Sequence, residues 1–226
     1  TLGGADAADF DCAISGTTVS IEFKVTPDYE NPHDADTNGV YSVTVLIDDG
    51  VANDANGATT LTITVADTND QTPVYQAADA DDAISVAENS GTGTIDAGVI
   101  TDTDTSNSFT CTLAGADAAD FTCTISGNNA NLAFAADPDY DAPADSDQDN
   151  EYTVTVLIND GVADDANGAT TLTITVTDLN DQVPSYSSSD LTPNVAEGDT
   201  TVETLSVTDT DTGAVSYTHL RAHETV

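Results

Sequence analysis

The chain has 226 residues, of which 41 are Asp or Glu and only 2 are Lys or Arg, so its formal net charge at pH 7 is −39. So acidic a chain has no cationic surface to neutralise phosphate groups, which excludes nucleic acid as a partner. The same argument excludes attachment to anionic lipid through a basic face. No apolar run approaches the roughly 20 residues that a membrane-spanning helix needs.

The sequence repeats itself. At a shift of 111 residues, 1–75 aligns with 112–186 without a gap, and 48 of the 75 pairs are identical. A period of this length is typical of an array of small domains. We expect a partial repeat lacking its first strands at 1–74, a complete repeat at 75–184, the start of a third at 185–215, and a tail at 216–226. The tail breaks the repeat, resembles translated adaptor sequence, and is left out of the functional argument.

Seven short strands are predicted in the complete repeat. The segment 152–158 alternates polar and apolar residues and is rich in β-branched side chains, as is 171–176. Turn-forming Gly, Asn, Asp and Pro punctuate the shorter candidates, which are 84–87, 95–100, 108–113, 121–126 and 132–135. Seven strands in about 110 residues predict an all-β fold of tandem immunoglobulin-like Greek-key β-sandwiches.

Carboxylates concentrate at the predicted ends of these strands. Asp accounts for 34 of the 41 acidic residues. The recurring motifs are Asp67-Thr-Asn69-Asp70 and Asp178-Leu-Asn180-Asp181, Asp28-Tyr-Glu30 and Asp139-Tyr-Asp141, and Asp102-Thr-Asp104 and Asp209-Thr-Asp211. Calcium takes six to eight oxygen ligands and suits such alternating turns better than magnesium does. The alternative is that these Asp residues form turns and keep the protein in solution.

The order of these motifs resembles that of cadherin domains, in particular the cadherin-like repeats of large bacterial surface proteins. The resemblance covers about residues 1–213 and includes the early Val-Ala-Glu at Glu88 and Glu197. Gln71 and Gln182 depart from it, because animal cadherins commonly have Asn there. The chain has no Trp, so the Trp-mediated strand swapping of some animal cadherins is not implied.

The resemblance implies calcium at the junctions between consecutive repeats. The ligands implied for the first junction are Asp28, Glu30, Asp67, Asn69, Asp70, Asp102, Asp104 and Asp160, with a backbone carbonyl from Asn107. Those implied for the second are Glu88, Asp139, Asp141, Asp178, Asn180, Asp181, Asp209 and Asp211. Asp49 matches Asp160 and would serve a junction upstream. Seven of the second set are carboxylates, which must repel one another or take up protons unless cations neutralise them.

Three cysteines remain to be placed. Cys111 and Cys123 each lie within Thr-Cys-Thr on consecutive predicted strands, so a disulfide is expected between them, and free buried thiols are the alternative. An oxidising exterior favours the disulfide. Cys12 corresponds to Cys123 in the repeat.

A further acidic loop resembles half of an EF-hand. Asp34-Ala-Asp36-Thr-Asn38 and its copy Asp145-Ser-Asp147-Gln-Asp149 have the alternating acids, but Val45 and Val156 stand where the bidentate Glu belongs. The loop is either a weak calcium turn or a plain polar loop.

The leading hypothesis is an extracellular or cell-surface module that binds calcium between its repeats and serves in adhesion or as a stalk. Its expected partners are calcium, the neighbouring repeats of the same chain, and a homophilic or host-surface ligand. The alternative is a calcium-independent immunoglobulin-like spacer. No catalytic motif is found in the sequence, so an enzyme is not expected, although the repeats could display an enzyme located elsewhere in a longer protein.

Overall fold

The computed structural model describes residues 1–51, 57–78, 83–105, 108–187, 192–202 and 206–211. The chain divides into two compact units. The first comprises Thr1–Pro73, Asp102–Ser108 and Asp160–Ala163, and the second comprises Val74–Thr101, Phe109–Asn159 and the chain from Asp164 onward. Within the described ranges no helix is long and apolar enough to cross a membrane. The tail at 216–226 lies outside the described residues.

The described residues of the first unit form five strands in two sheets. Strands β1 (Leu2–Gly3), β4 (Val40–Val45) and β5 (Thr59–Thr64) form an antiparallel sheet in the order β1-β4-β5, and β2 (Phe10–Ser15) pairs with β3 (Thr18–Phe23). A short 3-10 turn at Ala7–Asp9 precedes β2. Phe10, Tyr41 and Val43 are buried and form the centre of the core.

The second unit contains a sandwich of two four-stranded sheets and a short hairpin. Its strands are β6 (Val74–Gln76), β7 (Ala83–Ala87), β8 (Thr94–Thr101), β9 (Thr110–Ala114), β10 (Phe121–Ser126), β11 (Asn129–Phe134), β12 (Glu151–Asn159), β13 (Thr170–Thr177), β14 (Ser185–Ser187) and β15 (Ser206–Thr208). One sheet has the order β10-β11-β8-β6 and the other β7-β13-β12-β9, while β14 pairs with β15. A 3-10 turn at Ala118–Asp120 precedes β10.

The period-two pattern of the sequence determines which side chains enter the core. Along β12 the residues Tyr152, Val154, Val156 and Ile158 are all at most 1% exposed, whereas the residues between them are not buried. This is the alternation expected of a strand with one face against a second sheet. The predicted all-β Greek-key sandwich is thus confirmed.

The structure differs from the prediction at the start of the middle repeat. The first predicted strand corresponds to β7, but a further short strand, β6, precedes it, so the described residues of this repeat form eight strands rather than seven. β6 pairs antiparallel with β8, whereas β7 pairs parallel with β13 in the other sheet. The first two strands of the repeat therefore belong to different sheets. The sequence did not predict β6 because three residues are too few to show a period.

The two sheets of the second unit are also joined covalently. Cys111 on β9 and Cys123 on β10 form a disulfide with a Cα–Cα distance of 6.1 Å. β9 belongs to the sheet of β12, whereas β10 belongs to the sheet of β11. The bond therefore connects the two sheets rather than two neighbouring strands of one sheet. Cys12 is exposed and unbonded.

Candidate metal centres

Four separate segments of the first unit bring their carboxylates together. Glu30 follows β3, the 67–70 segment follows β5, the 102–104 segment follows β8, and Asp160 follows β12. Loops at strand ends can present several oxygens to one point because the strands fix where each loop begins. We call this set the first centre.

The first centre contains two overlapping groups of acids. Carboxylate oxygens of Glu30, Asp67 and Asp104 all lie within 4.8 Å of one another, and the same holds for Asp102, Asp104 and Asp160. Asp104 and Asp160 are only 5% and 2% exposed. Asp104 thus belongs to both groups, at the position from which one carboxylate could bridge two ions.

Backbone hydrogen bonds hold these acids in place. Asp104 Oδ2 accepts from the N–H groups of Asp70 and Gln71, at 3.1 and 2.9 Å. The amide Nδ2 of Asn69 donates to the carbonyl of Asp160 at 3.0 Å. Asp67 Oδ2 accepts from both the N–H and the hydroxyl of Thr105. In Asp67 and Asn69 the contact leaves the remaining side-chain oxygen, Oδ1 in each, buried without a hydrogen-bond donor.

Several oxygens of the first centre are buried without a hydrogen-bond donor. They are Glu30 Oε1, Asp67 Oδ1, Asn69 Oδ1, Asp102 Oδ2 and Asp160 Oδ2. Buried polar atoms are nearly always paired, and each exception calls for an explanation such as an ion. An orphaned carboxylate oxygen also costs more than a neutral one. The five atoms belong to four separate segments, so no single strained loop accounts for them.

The pKa values of two acids in the first centre reflect burial, mutual repulsion and hydrogen bonding. Burial is the largest cause that raises the pKa of Glu30 above 4.5, and the negative charges of Asp104, Asp70 and Asp67 add to it. Hydrogen bonds from Thr105 instead lower the pKa of Asp67. The only lysine, Lys24, donates to the carbonyl of Ala8, and the only arginine, Arg221, lies outside the described residues.

Three predicted residues of the first centre stand apart from these groups. Asp28 is exposed, and its Oδ1 accepts from the N–H groups of Glu30 and Asn31, which shapes the loop that carries Glu30. Asp70 accepts a hydrogen bond from the amide of Gln71 at 2.8 Å and lies near enough to raise the pKa of Glu30. Asn107 lies outside the described residues.

The second unit contains a matching set, which we call the second centre. Oxygens of Glu88, Asp139 and Asp141 lie within 4.8 Å of one another, as do those of Asp141, Asp181 and Asp211. Asp141 is the shared member, and its Oδ2 is buried without a hydrogen-bond donor. Burial, followed by the charges of Asp211 and Glu88, raises its pKa.

Glu88 is the most deeply buried acid of the second centre. It is 2% exposed, and its two oxygens accept from the N–H groups of Tyr140 and Leu179, at 2.8 and 2.7 Å. Because both bonds reach backbone in predicted ligand segments, Glu88 joins the 139–141 turn to the 178–181 segment. A buried carboxylate tied in this way is a fixed anchor for a cation.

Three predicted residues of the second centre lie outside its two acidic groups: Asp178, Asp209 and Asn180. Asp178 contributes to the raised pKa of both Asp141 and Asp211. Asp209 accepts from the N–H of Asp211 at 3.2 Å. Asn180, the counterpart of Asn69, is exposed.

Calcium fits both centres in the distances between the ligand atoms and in the type of ligand atom. Calcium–oxygen distances of about 2.3–2.6 Å place any two ligands of one ion at most about 5 Å apart, and each group of three lies within 4.8 Å. All candidate ligand atoms are carboxylate, amide or carbonyl oxygens, which this hard cation prefers. Magnesium, which needs shorter bonds and keeps several waters, suits these crowded carboxylates less well.

The EF-hand-like loops differ between the two repeats. In the second, oxygens of Asp145, Asp147 and Asp149 lie within 4.8 Å of one another. In the first, Asn38 stands at the position of Asp149. Its side-chain amide donates a hydrogen bond to Asp36 at 2.9 Å. The loop after β11 thus offers three carboxylates where the loop after β3 offers two carboxylates and an amide.

Four further carboxylates are buried but were not singled out by the sequence motifs: Asp6, Asp96, Asp117 and Asp165. Asp117 accepts from the N–H groups of Ser146 and Thr153, both at 2.8 Å, and Asp6 makes the equivalent bonds in the first repeat. The presence of Asp6 and Asp117 in the identical Gly-Ala-Asp-Ala-Ala-Asp-Phe segment of the two repeats was the available signal. They stabilise loops rather than offering oxygens to an ion.

Comparison with known proteins shows the fold. A scan against models of protein families finds no match, and a search of curated proteins finds no relative. Among solved structures, protocadherin gammaB7 EC3-6 matches with TM-score 0.58 and 23% identity over 93% of this chain and 48% of that one. Human CDH23 EC21-23 matches with TM-score 0.54 and 21% identity over 94% of this chain and 68% of that one. Human protocadherin-24 EC1-2 matches with TM-score 0.53 and 17% identity over 79% and 81%. The repeats thus have the fold of cadherin extracellular domains, and the chain spans about half the length of the protocadherin gamma structure.

Proposed function

We propose that this chain is part of an extracellular adhesion or stalk protein in which calcium, bound at the first and second centres, stiffens a row of β-sandwich repeats. The observation that carries the proposal is the convergence of buried, donorless oxygens from distant segments. Hydrogen bonds do not satisfy these atoms, and no lysine or arginine among the described residues reaches them. A divalent cation satisfies both needs at once.

The role of the metal follows from where the ligands lie along the chain. Asp102 and Asp104 continue directly from β8, and Asp160 continues from β12, whereas Glu30 and Asp67 belong to the preceding repeat. An ion shared by such segments restrains the chain where one repeat passes into the next. Without it, the carboxylates repel one another and the restraint is lost.

The cadherin-like fold supports the extracellular setting and the adhesive role. Among similar structures, that of protocadherin gammaB7 is described as a cis-dimer, which supports self-association as one form of adhesion for this chain. Calcium affinities in the range of about 0.1–1 mM, as in extracellular modules, are expected. Occupancy would then follow the surrounding medium rather than a cytosolic signal.

Thermal melts with added metals test the proposal. A ligand that binds only the folded state stabilises it by about 2.7 kcal/mol at a hundredfold excess over its Kd. Millimolar calcium should therefore raise the Tm clearly over that in chelator, and magnesium at the same concentration should raise it much less. Identical melts in calcium and chelator would refute the metal centres and favour a calcium-independent spacer. A magnesium effect equal to that of calcium would indicate general charge screening instead.

A further inference from the structure

Both repeats contain an equivalent cavity beside the aromatic core. In the first repeat its floor includes Phe23 and Tyr41, whose ring centroids are 5.0 Å apart. In the second the floor includes Phe134 and Tyr152, at 5.3 Å. The two pairs are 111 residues apart in the sequence, so the cavities are two copies of one feature.

In the first repeat the chain supplies its own cation to this cavity. Lys24 lines the cavity, and its Nζ donates a hydrogen bond of 2.6 Å to the carbonyl oxygen of Ala8, which lines the same cavity. His33 also contributes to the wall. The cavity volume is about 150 Å³. The aliphatic stem of a lysine packs on apolar surface while its ammonium finds an oxygen.

In the second repeat the cation is missing and the space is larger. Ala135 and Ala144 stand at the positions of Lys24 and His33, and the cavity volume is about 230 Å³. Ala119, the counterpart of Ala8, again lines the cavity. The second repeat therefore lacks the lysine and the histidine of the first but keeps the carbonyl position and the aromatic floor.

The wall has become more acidic at the same time. Asp120, Asp137 and Asp139 line the second cavity, and Asp137 takes the place of Thr26 in the first repeat. Burial, with the nearby charges of Asp117 and Asp145, raises the pKa of Asp120. The cavity thus combines an apolar floor with carboxylates and has no positive charge among its described lining residues.

We propose that the cavity of the second repeat binds a lysine side chain of another protein. The ammonium would take the place that Lys24 occupies in the first repeat, with the Ala119 carbonyl as acceptor and Asp120 as counter-ion, and the methylene stem would cover Ala135 and Phe134. A second copy of this chain is not the source, because Lys24 is its only lysine and already donates to Ala8. Asp139 lines this cavity and also belongs to the second centre, so the test is done with calcium in excess.

The test is an NMR titration of the full ¹⁵N-labelled chain with Nα-acetyl-lysine N-methylamide. Saturable shifts of the backbone amides of Ala119, Asp120 and Ala135 are expected at millimolar probe, and they should weaken as salt screens the charges. The norleucine analogue, which has the same stem without the ammonium, should produce at least about tenfold weaker binding. Equal binding of both probes would overturn the proposal, as would shifts spread over the acidic surface without saturation.

Matched variants locate the site. Ala135→Lys should restore the internal cation and abolish the shifts, whereas Thr124→Lys, which adds the same charge at an exposed position of β10, should leave them intact. Asp120→Asn should weaken binding without filling the cavity, which keeps the test decisive if Ala135→Lys does not fold. Lys24→Ala should create a new set of saturable shifts around Ala8. Shifts that persist in both Ala135→Lys and Asp120→Asn would refute the assignment.

Discussion

The side-chain amide of Asn69 donates a hydrogen bond of 3.0 Å to the backbone carbonyl of Asp160, although 91 residues separate the two along the chain. The bond uses the Asn69 nitrogen and leaves its Oδ1 buried without a donor. It also fixes the backbone of Asp160, whose Oδ2 is likewise buried without a hydrogen-bond donor. One contact therefore holds in place two residues of the first centre that each have a buried, donorless oxygen.

Asp104 is the residue on which the first centre depends most, because it belongs to both of its acidic groups. Asp104→Asn keeps an acceptor for the N–H groups of Asp70 and Gln71 but removes one charge. We expect calcium affinity at this centre to fall by at least the ten- to hundredfold that changes around metal ligands produce. Isothermal titration calorimetry measures it. Asp11→Asn, an equal charge change at an exposed position of β2, should leave the affinity unchanged, and equal losses in both variants would contradict the assignment.

The pH dependence of stability without metal follows from the raised pKa values. Glu30 and Asp141 have pKa values above 4.5 and 3.8 because of burial and neighbouring carboxylates. The folded state then binds protons more tightly than the unfolded chain, so stability rises as pH falls through the raised pKa values toward the ordinary ones. Chemical unfolding in chelator should show this rise.

Calcium should reverse the trend. Protons compete with the metal for the same oxygens, so the stabilisation by calcium declines as pH falls. The curves with and without calcium should therefore converge on acidification. Parallel curves would mean that the metal binds elsewhere.

The sequence was sufficient for the strands and for the motifs that supply the acids. The alternation along 152–158 predicted β12, and the resemblance to cadherin repeats implied that Glu30, Asp67 and Asp104 belong to one set. It could not predict β6, which is too short to have a period. Nor could it show that Glu88 bonds the backbone of Tyr140 and Leu179, since hydrogen bonds across 52 and 91 residues leave no local pattern.

Asp117 illustrates the same limit and gives a prediction about stability. It is 3% exposed, and its two oxygens accept from Ser146 and Thr153. Asp117→Ala removes the acceptor of two part-buried N–H groups. A fully buried unpaired group costs about 1–3 kcal/mol, so the free energy of unfolding should fall by up to about 6 kcal/mol. Urea denaturation measures this loss. Asp11→Ala should cost almost nothing.

Acid should remove the same contribution in the native protein. Burial tends to raise the pKa of Asp117, but the hydrogen bonds from Thr153 and Ser146 outweigh it and lower the pKa below 3.8. A lowered pKa stabilises the fold above the ordinary value and loses that effect as pH falls through the lowered one. The difference between wild type and Asp117→Asn should therefore shrink only below about pH 4.

The disulfide between Cys111 and Cys123 encloses a short loop, with 12 residues of sequence separation. Cross-links of this size stabilise by about 2–3 kcal/mol, mainly through the unfolded chain. Replacing both cysteines with Ser should lower the free energy of unfolding by that amount. Mass spectrometry of non-reduced peptides should show Cys111 joined to Cys123, and a link between Cys12 and Cys123 would contradict the structure.

Asp181 gives a test of the second centre. Its Oδ2 accepts from the amide of Asn89 at 2.5 Å and its Oδ1 from that of Gln182 at 2.8 Å. It is exposed, so Asp181→Ala removes a candidate ligand without disturbing a core. We expect the middle repeat to fold normally, while calcium binding weakens and protease cleaves the 178–184 segment even when calcium is present, because such segments are cut when they open locally.

The measurement is limited proteolysis with and without calcium, in a chain extended to a full third repeat. Wild type should be protected by calcium and cleaved near Pro184 in chelator. Asp181→Ala should be cleaved at a similar rate in both conditions, whereas Glu151→Ala, which removes one exposed negative charge at the start of β12, should behave as wild type. If Asp181→Ala kept wild-type calcium affinity and calcium still protected it fully, Asp181 would not be a ligand, and Glu88, Asp139 and Asp141 would have to hold the ion without it.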